Sequence, residues 1–337
     1  MEKSVCLLFQ GTGPHPSHRN FGDAVDATYR HFETGCPPKD GENQDKHSEL
    51  DRIRTGWSLS SHYDLVIAEG TAALQTLVSY KWLSNRMATT VFLAADETFF
   101  NIRDKPTRFL WHGLKPVTNT VDLCISISQL VNTWIKPFLP NVPCQVVHPT
   151  TTAEKYNKLS AIEASSPKDP FRLLSVGDVR KMKNYPTLVR AVESVNEGLS
   201  QDITLTILGE GHQQQPYASK SFISTPGRVS ESDFATYFDR SSAYIQPSMG
   251  DGFGVAALEG MLAGLPTIVT ELVGMKQLLD DRWVFDPTTN GLRTGIKNMI
   301  EIPQDDRIQL GLQNRHRSQS FSPESQAQSF RDAVTSI

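Results

Sequence analysis

The sequence predicts an α/β protein made of two parallel-sheet domains, and three observations predict it. The chain has 337 residues, more than one ordinary hydrophobic core accommodates, which points to two domains of about 150 residues each. Short apolar runs alternate with segments of helical spacing along the chain, the pattern of right-handed βαβ units with helices on both faces of a sheet. Residues 161–170 (Ala-Ile-Glu-Ala-Ser-Ser-Pro-Lys-Asp-Pro) are small, polar and proline-bearing, so they serve as a linker between domains 1–160 and 171–337.

In the first domain, residues 4–9 (Ser-Val-Cys-Leu-Leu-Phe) form a buried strand that Gln-Gly-Thr-Gly-Pro ends in a tight turn. Gly11 and Gly13 let backbone approach a ligand there, although the third glycine of a dinucleotide fingerprint is missing. His15 and His18 follow as loop residues at the carboxyl end of that strand, where open α/β sheets bind ligands. Residues 35–56 turn polar and read as a loop, with Pro37, Pro38, Lys39, Asp40, Gly41, Glu42 and Asn43 in a row. Residues 63–68 are a strand and 71–83 a helix, with further strands at 89–94 and 121–127. Ser128 caps a helix that runs to residue 138, and 142–147 is one more short strand.

The second domain repeats the alternation. Strands are expected at 171–176, 203–208, 222–223, 243–246, 267–270 and 283–285, and helices at 185–195, 231–239 and within 247–264. The loop after its first strand, residues 177–184, holds Arg180, Lys181 and Lys183 just before a helix. Clustered cations beside a helix N-terminus suit a diphosphate by charge and by backbone N–H groups together.

Residues 247–264 carry the most chemistry. A turn with Gly250, Gly252 and Gly254 runs into an apolar helix, leaving backbone N–H groups aimed at whatever lies in front. Val255, Leu258, Glu259 and Leu262 fall on one helical stripe, which places the Glu259 carboxylate toward the core. A buried carboxylate needs donors; a protein partner such as Arg or Lys supplies them, or a ligand does, and a ribose offers two hydroxyls. Asp251, eight residues earlier in the turn, either caps the helix or faces the same ligand.

Bulk properties narrow the function. Lys plus Arg is 33 against 37 for Asp plus Glu, a net charge of −4, so no global field favours nucleic acid. Cys6, Cys36, Cys124 and Cys144 show no metal-ligand or disulfide spacing, which suits a reducing compartment and no metal site. Neither a signal-peptide core nor a membrane span is expected. Aromatic and basic residues mix at Trp134-Ile135-Lys136-Pro137-Phe138 and at Lys81, Trp82 and Arg86, as in a surface making peripheral membrane contact.

This set of motifs resembles the retaining glycosyltransferases of family 4 (glycosyl transferases group 1). The likeness rests on the 177–184 loop with Lys183, on Leu208-Gly209-Glu210-Gly211, and on Gly227-Arg228-Val229 before an acidic helix. It continues through Pro247-Ser248, Asp251-Gly252-Phe253-Gly254, Glu259, Ala263-Gly264-Leu265-Pro266, Gly274, Phe285-Asp286-Pro287 and Phe321-Ser322-Pro323-Glu324. The resemblance implies the GT-B fold, two Rossmann-like parallel-sheet domains facing each other across a cleft, with the last helix packing back on the first domain. It implies a cytoplasmic, metal-independent enzyme without cofactor. The enzyme would move sugar from a nucleotide-diphosphate donor, UDP- or GDP-linked, to a saccharide or lipid-linked saccharide.

By position, Glu259 takes the ribose hydroxyls and Lys183 the diphosphate. Asp251, with Gly252, Phe253 and Gly254, lies against the sugar and phosphates, and Gly177, Gly209, Arg228 and Val229 complete the donor site. Three departures stand out. Asp178 occupies the family's usual arginine position, which leaves Arg180 to take its task; Ala95-Asp96 lacks the family's histidine; and Asp251 is one methylene shorter than the family's glutamate. On the acceptor side the candidates are Gly11, Gly13, His15, His18 and Asp96. The alternatives are a nucleotide-sugar epimerase on the same fold, with Asp96, His15 and His18 as acid/base groups, and a non-catalytic nucleotide-sugar-binding subunit.

Overall fold

A computed structural model of the chain describes residues 4–10, 16–32, 63–71, 73–74, 76–77, 88–95, 120–163, 170–198 and 203–337. The chain divides into two compact units, 1–149 with 324–337, and 150–323. Each is an α/β layer structure around one six-stranded, all-parallel sheet.

The first unit contains β1 (Val5–Gln10), β2 (Thr28–Phe32), β3 (Leu65–Glu69), β4 (Thr89–Ala94), β5 (Leu123–Ser126) and β6 (Cys144–Val146). They lie in the order β2-β1-β3-β4-β5-β6. Register pairs such as Val5 with Leu65 and Val91 with Leu123 stack apolar residues across strands, and Leu7, Leu8, Ile67 and Phe92 are among the buried core. Helix α1 (Pro16–Ala24) follows β1, and α2 (Gln129–Ile135) follows β5. As expected, Ser128 caps α2, its hydroxyl accepting the Val131 N–H at 3.1 Å. A 3-10 turn, Lys136–Phe138, continues it.

Two elements here were not expected. The loop reading of His18 gives way to α1, which puts it on a helix and buries it. Strand β2 is an edge strand, with exposed Thr28, Arg30 and His31, so it lacks the apolar run that marks a buried parallel strand. The polar stretch 35–56 lies outside the described residues, as does most of the expected helix 71–83, although residues 70, 71, 73, 74, 76 and 77 are helical.

The second unit opens with α3 (Ala153–Ser160), which precedes the 161–170 stretch. Then follow β7 (Arg172–Val176), α4 (Tyr185–Asn196), β8 (Thr204–Leu208), β9 (Ile223–Gly227), α5 (Glu231–Asp239) and β10 (Ala243–Gln246). The rest is α6 (Val255–Leu262), β11 (Thr267–Thr270), β12 (Val284–Phe285), α7 (Thr289–Glu301) and α8 (Gln304–Ser318). Leu188 and Val192 of α4 and Ile296 and Met299 of α7 share one buried cluster with Leu205, Ile245 and Ile268 of the sheet. Burying its apolar area, at about 25 cal/mol per Å², stabilises this unit. The terminal helix α9 (Pro323–Thr335) belongs with the first unit, where Phe330 stacks on Phe21 at 4.7 Å between ring centroids.

In the second sheet the order is β9-β8-β7-β10-β11-β12, so consecutive strands run outward from β7 on one side and from β10 on the other. A crevice opens outside the carboxyl ends of the strands where such an order reverses. The reversal lies between β7 and β10 here, and between β1 and β3 in the first sheet. None of the helices among the described residues is long and apolar enough to cross a membrane.

Candidate functional site

The loops leaving β7 and β10 flank the reversal point of the second sheet, and side chains join them there. Lys183 Nζ lies 2.6 Å from Asp251 Oδ2, and the Met249 N–H bonds the Met182 carbonyl at 2.8 Å. Asn184 adopts a left-handed conformation, φ 59°, which lets its side-chain amide donate to the carbonyls of Pro247 (3.0 Å) and Pro287 (2.9 Å). Three strand ends are thus tied by one residue that the sequence reading passed over. Arg180 and Lys181 are exposed.

Behind the loop, the Gly177 carbonyl accepts from Tyr185 Oη at 3.0 Å and from His212 Nε2 at 2.7 Å. Because a carbonyl only accepts, His212 carries its proton on Nε2, and its Nδ1 takes the Tyr217 hydroxyl at 2.7 Å. Burial lowers the His212 pKa below the ordinary imidazole range, which keeps this ring neutral. Gly209 packs so tightly on this turn that an added Cβ would lie 2.3 Å from the Gly177 oxygen. Only glycine fits there.

Asp178, in the position where the resembled family has arginine, bonds the Glu210 N–H through Oδ1 at 2.8 Å. Its Oδ2 lies 3.6 Å from Arg228, which also reaches Glu210 Oε1 at 3.3 Å. The aspartate therefore ties the β7 and β8 loops together, and the exposed Arg228 is charge-paired with two carboxylates. Val229 beside it is half-buried.

Helix α6 starts at Gly254, whose φ of 96° suits glycine, and no side chain caps it. Asp251 does not serve as that cap. Its backbone bridges to Val273, and its Oδ2 receives Gln246 Nε2 at 3.1 Å as well as Lys183. The expected one-sided stripe is broader in fact: Ala257, Gly260 and Met261 are buried along with Leu258, Glu259 and Leu262, as for a helix apolar all round. Phe253 turns its ring into the core, 6.0 Å from that of Phe321. With Gly252 equally buried, a ligand in front of this turn would meet backbone.

Glu259 is 4% exposed, and a protein partner answers its charge. Thr151 Oγ1 donates to its Oε1 at 2.6 Å, and Lys155 Nζ stands 3.5 Å away while lying 4.2 Å over the Phe234 ring. Thr151 and Lys155 were not among the expected site residues. The threonine pair Thr151-Thr152 was a usable signal, since Thr152 caps α3 by accepting the Lys155 N–H at 3.3 Å.

In the first unit, His18 on α1 places Nδ1 2.6 Å from Glu69 Oε1 at the end of β3, beside the strand-order reversal of that sheet. Gly11, Gly13, His15 and Asp96 lie outside the described residues; Ala95 is buried just past β4. Of the aromatic-basic group near residue 136, Ile135 is buried, Trp134 and Phe138 are half-buried, and Lys136 and Pro137 are exposed. Lys81, Trp82 and Arg86 lie outside the described residues. Among the described residues no cluster of three or more His, Cys, Asp or Glu is arranged to hold a metal ion.

Residues 160–311 match the family model for glycosyl transferases group 1. A D-inositol 3-phosphate glycosyltransferase of Arthrobacter sp. (strain FB24) is 26% identical over 181 residues, covering 49% of this chain and 42% of that relative. Sucrose-phosphate synthase from Thermosynechococcus elongatus superposes with a TM-score of 0.75 at 15% identity, over 99% of this chain and 100% of that one. HepE of Anabaena, in complex with UDP and glucose, superposes with a TM-score of 0.72 at 14% identity, over 99% and 100%. At such identities the two structures speak for the fold, and they assign it as GT-B. Lys183, Asp251 and Glu259 all lie within the matched segment.

Proposed function

We propose that the chain is a retaining glycosyltransferase of family 4 type. It transfers a hexose or related sugar from a nucleoside-diphosphate donor to a saccharide or lipid-linked saccharide, with no divalent cation. The observation that carries this reading is the Lys183–Asp251 pair, set at the reversal point of the second sheet and just ahead of the uncapped N-terminus of α6. The carboxylate of Glu259 lies one helical turn further along the same helix, at the ribose position. HepE's complex with UDP supports a UDP-linked donor, with GDP as the alternative.

In this reading the donor diphosphate draws Lys183 away from Asp251, and Arg180 with the backbone N–H groups at the start of α6 share its charge. Those cations support a metal-independent reaction. Asp251, released from the lysine, accepts a hydroxyl of the transferred sugar. Glu259, held by Thr151 and Lys155, accepts the ribose hydroxyls. The acceptor hydroxyl attacks C1 from the face the diphosphate leaves. One C–O bond forms as the C1–O bond to phosphate breaks, and a phosphate oxygen takes the hydroxyl proton. The His18–Glu69 pair supports an acceptor-binding role for the first unit. Free thiols at Cys6, Cys124 and Cys144 support a cytoplasmic location.

Calorimetry with UDP- and GDP-sugars tests the donor site. Lys183→Ala, losing a charge-assisted contact of about 1.5–3 kcal/mol, is expected to weaken donor binding roughly 10- to 150-fold. Glu259→Ala should weaken the binding of nucleotide and nucleotide sugar alike. Proton NMR of the product should show the donor's anomeric configuration retained, and no epimerised donor should form without acceptor. Wild-type affinity in both folded variants would refute the site.

A further inference from the structure

Gln246 ends a central strand and is completely buried, as is Tyr244 two residues before it. A primary amide in such a place is costly unless its hydrogen bonds are made. Here they are. Its Oε1 accepts the Tyr244 hydroxyl at 2.6 Å, and its Nε2 donates to Ser248 Oγ at 3.0 Å and to Asp251 Oδ2 at 3.1 Å. A carboxylate only accepts, so the amide has one orientation, with its NH2 toward Asp251.

Tyr244 holds the far end of this chain. Its ring lies parallel to that of Phe238 at 6.2 Å, and it packs so closely on Gly260 of α6 that an added Cβ there would lie 2.7 Å from its Cγ. Burial raises the phenol's pKa well above the ordinary value, so the hydroxyl stays protonated and donates to Gln246. Lys183 and Gln246 converge on the same oxygen of Asp251. One of these donors is a half-exposed cation that a diphosphate competes for; the other is a fixed, neutral amide with no reason to leave.

We propose that Gln246 is a positioning residue: through its bond to Asp251 Oδ2, in a register set by Tyr244, it holds the Asp251 carboxylate against the transferred sugar once Lys183 turns to the diphosphate. The role rests on the transferase reading above. It also accounts for how an aspartate serves where the resembled family has the longer glutamate, since the amide fixes the shorter side chain from behind. A polar residue closing the otherwise apolar Ala-Tyr-Ile strand is then required by the site.

Three variants of the full chain test the role: Gln246→Leu, Gln246→Glu and Tyr244→Phe. Gln246→Leu is expected to lower kcat about 10- to 100-fold, the scale of a small misplacement of a reacting group, while binding of the bare nucleoside diphosphate changes less than about threefold because Lys183 and Glu259 are intact. By calorimetry it should lose the extra affinity a nucleotide sugar has over the bare nucleoside diphosphate, and keep the affinity for the latter. In Gln246→Glu two carboxylates face each other, and a shared proton restores the bond only on the acid side. Its kcat relative to wild type should therefore rise about fivefold or more from pH 8 to pH 6. Tyr244→Phe should show a smaller fall in kcat with the same unchanged affinity for the nucleoside diphosphate.

Folded Gln246→Leu and Gln246→Glu proteins with wild-type kcat at every pH, and with the sugar increment in binding intact, would overturn the role. If Gln246→Leu does not fold, a pH-independent ratio for Gln246→Glu overturns it. A wild-type protein that binds no nucleotide sugar overturns the transferase reading and this role with it. Normal wild-type transfer with unaffected variants overturns the role alone.

Discussion

At the scale of single residues, Cys144 offers a test outside the site. It pairs in register with Cys124 across β5 and β6. The Cys124 thiol donates to it, and the Lys136 cation adds to the effect, so the Cys144 thiol is brought down to about 7 despite partial burial. Burial pushes the Cys6 thiol up to about 12, and Cys124, as donor and deeply buried, is raised as well. The thiolate is the nucleophile, so Cys144 is expected to react first of these three with iodoacetamide at pH 7.5. Its rate should fall as the pH is taken below 7, while Cys6 stays inert. Peptide mass mapping after brief labelling checks the order; faster labelling of Cys6 would contradict it. Legibility at this scale was uneven for a physical reason. The need of Glu259 for donors follows from its place in an apolar helix, but Thr151, its donor, is 108 residues away in sequence. A demand shows in local sequence, whereas the group that meets it is chosen by tertiary packing.

At the scale of elements, the strands whose bounds were legible to the residue are those buried on both faces. The runs at 89–94, 243–246 and 267–270 coincide with β4, β10 and β11, apolar or β-branched throughout apart from the closing Gln246. Edge strand β2 and helix α1 were missed because exposure on one side leaves Thr28–Phe32 mostly polar, and the glycines and prolines of the sequence ahead of α1 read as a loop. Between elements, neutral histidines act as cross-ties: His212 bonds the Gly177 carbonyl, and His148 Nδ1 bonds the Ile127 carbonyl at 3.0 Å. Burial lowers both pKa values from an ordinary 6.5. The unfolded chain takes up these protons near pH 6.5 and the folded chain only lower, so stability is present above 6.5 and is lost as pH falls below it, down to the folded pKa values. Urea midpoints measured at pH 7.5, 6.5 and 5.5 are expected to drop on the acid side. His148→Gln with His212→Gln should be less stable at pH 7.5 but show a shallower loss between 6.5 and 5.5. An unchanged slope would mean that other groups govern the acid limb.

At the scale of the whole molecule, alternation of strands and helices foretold two parallel sheets but not the order of strands within them. Order is a matter of which crossover packs on which face, and apolar periodicity is blind to it. Yet the order decides where the site lies, because the reversal between β7 and β10 brings Lys183 to Asp251 from opposite sides of one crevice. The residues proposed for the donor site, Lys183, Asp251 and Glu259 among them, belong to the unit 150–323. On that proposal donor binding acts on the stability of that unit. A ligand that binds only the folded form adds about 2.7 kcal/mol at one hundred times its Kd, so UDP or GDP alone should raise the thermal midpoint in a concentration-dependent way. The net charge is −4, so attraction to a diphosphate comes from the local cations Arg180, Lys181 and Lys183, which salt screens. The shift at fixed nucleotide should shrink between 50 and 500 mM NaCl, and Lys183→Ala should both reduce the shift and flatten its dependence on salt. A nucleotide-induced shift indifferent to salt and to Lys183 would place the phosphate site elsewhere in the chain.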